Sequence, residues 1–599
     1  MTKKFLVPML LVIVTLSACK KYLDKSPLDK LTPDQAFSSE ANLKLYINSF
    51  YLMLPNANMI YQSELTSDQT VRKDVPPYLL SGFSPQSAFS GANATAFHAS
   101  NANANWNWSN LRNINYFIVN NNNQSIAVNV RNNYTGIARF FRAYFYFNMV
   151  KTYGDVPWYN KPLAVDDPDL YKPRDTRQMV MDSVLADLNF ACNNITDVKD
   201  VSCTTITRWV AFALKARVCL FEGSFRKYHN ILPGTSSQWF QESASAANAV
   251  ITSGKYSLQK TTNSDADYRS LFINEAPNAN EVLLAAVYNN TIKKWHGANN
   301  WYNSLTAGDR LSLNKRFVNT YLNLDGTRFT DNPGYVTTQF QDEVKNRDKR
   351  LKQTIRTPGY KRADGTLAGP DFVVTTTGYQ MLKFSTDDKA LDVVAQNFNS
   401  LPIIRYAEVL LDYAEAKEEL GTLTTADWNI TIGALRARAG IINTAMPTTA
   451  DPYLQANFYP GITDAVLLEI RRERGTELVG EYGYRFEDLT RWKLGDNLTK
   501  SYDGIYVPAK GQILDTSGDG VAGPGDVCYV DAIPSSKVAG VTYVQLTSST
   551  LRLSNGTSGN LQWLSNTSRV WDDKRYFYPV PPNEIIVNQK LVQNPGWLQ

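Results

Sequence analysis

The chain is 599 residues long, 12% aromatic and 20% charged, with a formal net charge of +5. That length supplies a large hydrophobic core and room for more than one lobe, while so small a charge, with no dense Lys/Arg run, excludes a nucleic-acid surface as the organising feature. Five cysteines and three histidines, none at CxxC or chelating spacing, speak against a disulfide framework, a zinc site or a redox site.

From its start, Met1-Thr2-Lys3-Lys4 precedes an apolar run from Phe5 to Leu16, and then Ser17-Ala18-Cys19. Two lysines, a short apolar core and small residues before a cysteine make residues 1–18 a lipoprotein-type secretory signal. The run is shorter than the ~20 residues a membrane span needs. Cys19 is therefore expected to open the mature chain and to carry acyl chains. At ~0.8 kcal/mol per buried CH₂, these would anchor residues 19–599 outside the cytoplasm.

Helical periodicity then dominates to about residue 254 and returns over 401–499. Ala138 to Val150 is apolar nearly all round, interrupted by Arg139 and Arg142, the pattern of a helix buried among others. Tyr153-Gly154-Asp155-Val156-Pro157 ends it with glycine and proline. Leu111 to Val119, Thr176 to Cys192, Trp209 to Leu220, Ser243 to Ile251, Tyr406 to Leu420, Asp427 to Ala439 and Thr463 to Val479 are the other predicted helices. Recurring antiparallel pairs predict a mostly α fold on a tetratricopeptide-like scaffold. Over 255–400 and 500–575, Gly, Asn, Thr, Asp and Pro multiply around short strand-like runs such as Val282 to Tyr288. These stretches read as loop-rich, short-β insertions, where ligand contacts usually lie, followed by a C-terminal segment, 576–599. Cys192 and Cys203 flank a Thr/Asn/Asp-rich connection, and their pairing in an oxidising compartment stays open.

Six segments together resemble the SusD/RagB family of outer-membrane nutrient-binding lipoproteins from Bacteroidetes. They are Tyr22-Leu23-Asp24 with Pro27, Thr32 and Phe37; Arg139 to Pro157, ending in Gly154-Asp155-Val156-Pro157; Arg405 to Ala416; Arg436-Ala437-Arg438-Ala439-Gly440; Glu473 to Trp492; and Tyr578 to Glu584 with Gln593-Asn594-Pro595-Gly596-Trp597. Glu481-Tyr482-Gly483-Tyr484-Arg485 departs from the family's tighter E-G-x-R, and Lys20-Lys21 stand where surface-directed relatives carry acidic residues. The resemblance implies a SusD-like α/α superhelix and a non-catalytic binding subunit. Such a subunit captures oligosaccharides at the cell surface and delivers them to a TonB-dependent SusC-like transporter in the outer membrane, with no nucleic-acid partner. A peptide-binding uptake subunit of the same family is the alternative, and an anchored glycoside hydrolase a more distant rival.

Glu473, Glu477 and Glu481 fall at i, i+4 spacing and are predicted to share a helix face, with Arg474, Arg485 and Arg491 at hand. Alternating acids and bases of this kind read as a buried ion network in preference to a hydrolase pair. Arg405, Glu408 and Glu415 read the same way, and no GxSxG, HExxH or P-loop is present.

Sugars offer apolar C–H faces to flat rings and hydroxyl rims to amides and carboxylates. Two aromatic clusters in polar loops suit them: Trp106 with Trp108, and Trp295 to Asn303. As family contacts come from similar loops, Trp106, Trp295, Asn300, Trp301 and Tyr302 are the expected ligand residues. The alternative is that these rings pin their loops to the scaffold. Asp515, Ser517, Asp519, Val521 and Asp526 stand at EF-hand positions 1, 3, 5, 7 and 12, with Gly520 at 6, so calcium is the expected metal. A Gly/Asp surface turn is the alternative. The GxGxxG at Gly518–Gly523 is set aside because Pro524-Gly525 follows where a helix should begin.

Overall fold

The structure, a computed structural model, describes residues 36–65, 67–81, 106–547 and 549–597; Cys19, the signal segment and the Tyr22–Pro27 motif lie outside them. The helical frame comprises α1 (Glu40–Ile47), α2 (Ser109–Asn120), α3 (Val128–Tyr153), α4 (Arg177–Asn194), α5 (Arg208–Tyr228) and α6 (Ser236–Thr252). After a short α7 (Ala298–Asn303) it resumes with α8 (Tyr406–Glu419), α9 (Thr425–Ile430), α10 (Ile432–Arg438), α11 (Ala465–Leu478) and α12 (Tyr484–Arg491), and α13 (Pro582–Val587) closes the chain. Consecutive members touch: α2 on α3, α3 on α4, α4 on α5, α5 on α6, α6 on α8, and α8 on α11. Among the described residues no helix is long and apolar enough to cross a membrane.

Local chemistry sets the helix ends. Thr176 and Thr207 cap α4 and α5 by accepting the backbone N–H three residues on, and Asp464 caps α11 in the same manner. Gly154 stops α3 at φ +74°, a conformation open to glycine at little cost. Within α3, Phe140, Phe141, Phe145 and Phe147 are all buried, each contributing about 1.5–3 kcal/mol of hydrophobic stabilisation. Arg142, the apparent interruption, grips Asp187 of α4 through two 2.7 Å bonds. At Gly136 the neighbouring helix end comes so close that a Cβ would stand 2.9 Å from Ile195 Cγ1.

One expectation changes here and one open question closes. The helix predicted over Asp427–Ala439 is broken at Thr431 (φ −114°, ψ −93°), whose hydroxyl donates to the Asp427 carbonyl at 2.6 Å. A side-chain hydroxyl bonded back to i−4 competes with the helix ladder, and the fully buried Trp428 fixes the kink in place. Cys192 and Cys203 do not pair: both are buried free thiols, and Cys203 Sγ donates to the Val282 carbonyl at 3.0 Å.

The strands are short and form four small sheets. β1 (Thr70–Val71) pairs with β3 (Ser312–Leu313), and β2 (Val282–Ala286) with β4 (Leu401–Arg405). β5 (Tyr502–Val507), β10 (Gly559–Trp563) and β9 (Leu551–Leu553) make one antiparallel sheet. β6 (Ile513–Leu514) runs antiparallel to β7 (Val527–Val530), and β7 parallel to β8 (Thr542–Gln545). β2 and β4 are buried along nearly their whole length and tie the first insertion to the frame. The C-terminal segment returns to α3: Tyr578 N–H donates to the Thr152 carbonyl at 2.7 Å, and the Asn594 amide to the Tyr153 carbonyl at 3.0 Å.

Candidate functional site

The acidic residues of α11 are the first place to look for chemistry. Gly480 (φ +78°) ends the helix before Glu481, so the three predicted carboxylates do not share one helix face; Glu473 and Glu477 lie on α11 and Glu481 in the turn beyond. They still converge on common partners. Arg405 reaches Glu477 at 2.6 Å, Glu481 at 2.7 Å and Glu281 at 3.0 Å, and Arg350 binds Glu473, Glu477 and Asp348. Burial alone would raise the Glu477 carboxyl, but Arg438, Arg405 and Arg350 outweigh it and hold the group well below the usual carboxylate range. Glycoside hydrolysis needs an acid held protonated beside its substrate. These carboxylates are buried and tied to guanidinium groups, and their role is to fix the frame.

The loop tryptophans of the first insertion sit on a built turn. Asn289 and Lys294 exchange backbone bonds at 3.0 Å, and Trp295, half-buried, donates its indole N–H to Asn290 Oδ1 at 3.0 Å. On α7 the arrangement turns inward. Trp301 and Tyr302 meet edge to face at 4.9 Å, both buried against Tyr61, whose carbonyl accepts the Tyr302 hydroxyl at 3.0 Å. Asn300 donates to the Asp392 carbonyl at 2.9 Å, and Asn299 binds Thr386, Asp388 and Asp392. The flanking asparagines had suggested rings open to solvent, but their amides satisfy buried backbone, which carries the rings into the core. Trp295 alone of this cluster keeps an accessible edge.

Trp106 belongs to a different corner. It is buried, edge to face with Tyr153 at 4.9 Å and with Trp108 at 5.5 Å. Trp108, half-buried at the start of α2, meets Tyr159 at 5.4 Å and 79°. Trp106, Trp108 and Tyr159 wall a cavity of about 380 Å³, bordered on the other side by Glu584, Val587 and Asn588 of the C-terminal segment, with the exposed Val587 at its mouth. The volume falls at the small end of ligand-site sizes, ~300–1,000 Å³. Its back is stiff: Asn115 donates to the Tyr159 carbonyl at 2.9 Å and accepts from Arg142 at 3.1 Å, while Arg142 is held by Asp187. Tyr159 and Asn588 carried no signal in the sequence, and Glu584 stood out only as the end of the Tyr578–Glu584 family segment, because each gains its place at the cavity from neighbours far along the chain.

The Asp515–Asp526 loop joins β6 to β7, not two helices. Asp515, Asp519 and Asp526 each bring one carboxylate oxygen within 4.8 Å of the others, and Ser517 Oγ lies 3.3 Å from Asp515. Asp526, buried, accepts the Thr516, Ser517 and Gly523 N–H groups at 2.9–3.0 Å, and Asp515 accepts those of Gly518 and Gly520. All-oxygen donors of this kind suit a hard cation, while the same bonds already order the turn without one. Val521 is exposed.

Comparison with known proteins decides the family. The sequence profile of the SusD family matches residues 250–597, more than half of the chain. The chain belongs to the SusD family. A second profile, described as starch-binding associating with outer membrane, matches residues 47–220. SusD-like protein P38 of Formosa agariphila is 23% identical over 513 residues, covering 80% of this chain and 90% of that protein. A SusD-like carbohydrate-binding protein from Bacteroides fragilis superposes with a TM-score of 0.67 at 20% identity, over 93% of this chain and 99% of that one. Surface glycan-binding protein A from Bacteroides fluxus gives 0.54 at 17% identity, over 93% and 100%. At such identities these structures speak for the fold. The SusD family is non-catalytic, glycan-binding and associated with the outer membrane, so this SusD-family chain is not an enzyme.

Proposed function

We propose that this protein is a lipid-anchored, surface-exposed subunit that binds oligosaccharides and hands them to a TonB-dependent SusC-like transporter without breaking a bond. The observation that carries the reading is the family match, with its two profiles lying over both parts of the chain. The aromatic-walled cavity at Trp106 supports it, since stacked rings and a polar rim are what a sugar needs. In this reading Cys19 carries the anchor, and Trp106 and Trp295 are the aromatic contacts. Asn300, Trp301 and Tyr302 act on the ligand through the loop they hold in place. The helical frame is the face offered to the transporter.

Calorimetry of the purified lipoprotein against glycans and oligopeptides tests the reading. Heat from one glycan class is the expected result. A response to peptides alone would overturn the sugar reading while keeping uptake. Copurification with a barrel protein from the native membrane tests the delivery step.

A further inference from the structure

The cavity beside Trp106 holds an acid with no partner. Glu584 stands in the first turn of α13, and among the described residues its carboxylate accepts no hydrogen bond and joins no ion pair. The cavity's two cations and the Asn588 amide are engaged. Arg112 donates to the Leu163 carbonyl, Lys161 pairs with Asp167 at 3.2 Å and with Asp169 at 3.5 Å, and Asn588 donates to the Lys172 carbonyl at 3.0 Å. Burial raises the Glu584 carboxyl above its ordinary value, as expected of an acid partly withdrawn from water beside apolar walls. Buried polar groups in native proteins normally find a partner in the protein or in ordered water. Here the free acceptor stands on the wall of a space large enough for a small ligand.

Three ligand classes are distinguishable by what they would leave unsatisfied. An apolar group would fill the ring-lined side and strand Glu584 without a donor. A uronate or sulfated sugar would set a second negative charge against Glu584, with Lys161 already paired to Asp167 and Asp169 and Arg112 turned to the Leu163 carbonyl. A neutral sugar offers a C–H face to the rings and a pair of adjacent hydroxyls to one carboxylate.

Resting on the glycan reading above, we propose that this cavity is a sugar subsite with Glu584 as its hydrogen-bond acceptor. One uncharged sugar ring lies against the Trp106–Trp108–Tyr159 wall, and uronic or sulfated sugars are rejected. The subsite is built from the helical frame and the C-terminal segment, without the loop insertions.

The test uses the full-length lipoprotein in detergent and calorimetric titration with neutral, uronate-containing and sulfated oligosaccharides and with dipeptides. Two variants accompany the wild type: Glu584→Gln, which halves the acceptor, and Val587→Trp, which fills the mouth from a residue 66% exposed. Neutral glycans should bind the wild type, and each variant should weaken them about tenfold or more, the size of a lost hydrogen bond to a charged group, with melting temperature unchanged. Wild-type affinity in both variants would overturn the subsite and leave the glycan reading standing. Preference for acidic glycans would overturn the charge selection. Dipeptide binding lost in Glu584→Gln would overturn the sugar class in favour of an ammonium group. No heat from any glycan with the wild type would overturn both readings together.

Discussion

The helical frame and the first loop insertion both bury many polar side chains, but by different means. Against the frame, the residues are charged and face each other: Arg405 and Arg438, joined by Arg350 from the insertion, share Glu473, Glu477 and Glu481 of the frame and Glu281 of the insertion. In the insertion they are mostly neutral and face backbone, as Asn299, Asn397 and Asn399 do. Ion networks tie together elements distant in sequence and demand fixed geometry. Amides can satisfy an irregular chain wherever it runs, which is what a loop without ladders requires. In both regions a polar group with a partner is holding structure. The acid at Glu584 accepts from no described residue and stands half-buried on a cavity wall.

The contrast is open to direct attack. The largest effect is expected from Arg405→Met, which leaves Glu281, Glu477 and Glu481 facing one another in the core. Breaking a buried pair in this way costs about 3–5 kcal/mol, and the variant should lose its cooperative melting transition. Trp301→Ala comes next, at about 3–5 kcal/mol for a buried ring. Trp295→Ala should barely move the melting temperature while weakening glycan binding; equal melting losses in the two would erase the distinction drawn between them.

A third test uses pH. Burial raises the Glu64 carboxyl to about 7, against the opposing effects of Ser67 and Arg485. A folded value above the unfolded one means stability is full below about pH 4.5 and is lost as pH rises through 7. Glu64→Gln should therefore melt higher than wild type at pH 8 by at most about 3 kcal/mol, with no gain at pH 4.5. The smallest effect is calcium's. At about 1 mM, within the range of extracellular calcium modules, it should raise the melting temperature slightly, and Asp519→Asn should abolish the rise. No shift in wild type would mean that the Asp515–Asp526 loop is a turn ordered by its own backbone.

Most of the frame was legible because helices announce themselves by period and by their stops. Gly154, Thr176 and Thr207 all act as their types suggest. The Thr431 break was not legible, since a hydroxyl that bonds back to i−4 looks in sequence like any exposed threonine. The α11 ion network was half visible: acids and arginines alternate locally, but Arg350 and Glu281 come from other elements. At the candidate site, aromatic residues in polar loops were easy to see and their direction was not. Asparagines beside Trp301 point inward to backbone, whereas the wall partners of Trp106 and Trp108 come from Tyr159 and from the far end of the chain.

That far end has a consequence for how the molecule assembles. Asn594 donates to the carbonyls of Tyr153 and Tyr578 and accepts from Arg174, and Gln593 braces Val580 from both sides of its peptide. A chain is synthesised from its N-terminus, and early parts begin folding first. Here the Thr152 carbonyl at the exit of α3 receives the Tyr578 N–H, more than 400 residues further along the chain. The segment around Gln593 and Asn594 is thus a latch, and without its bonds the corner where Trp106 and Glu584 meet would be left ajar.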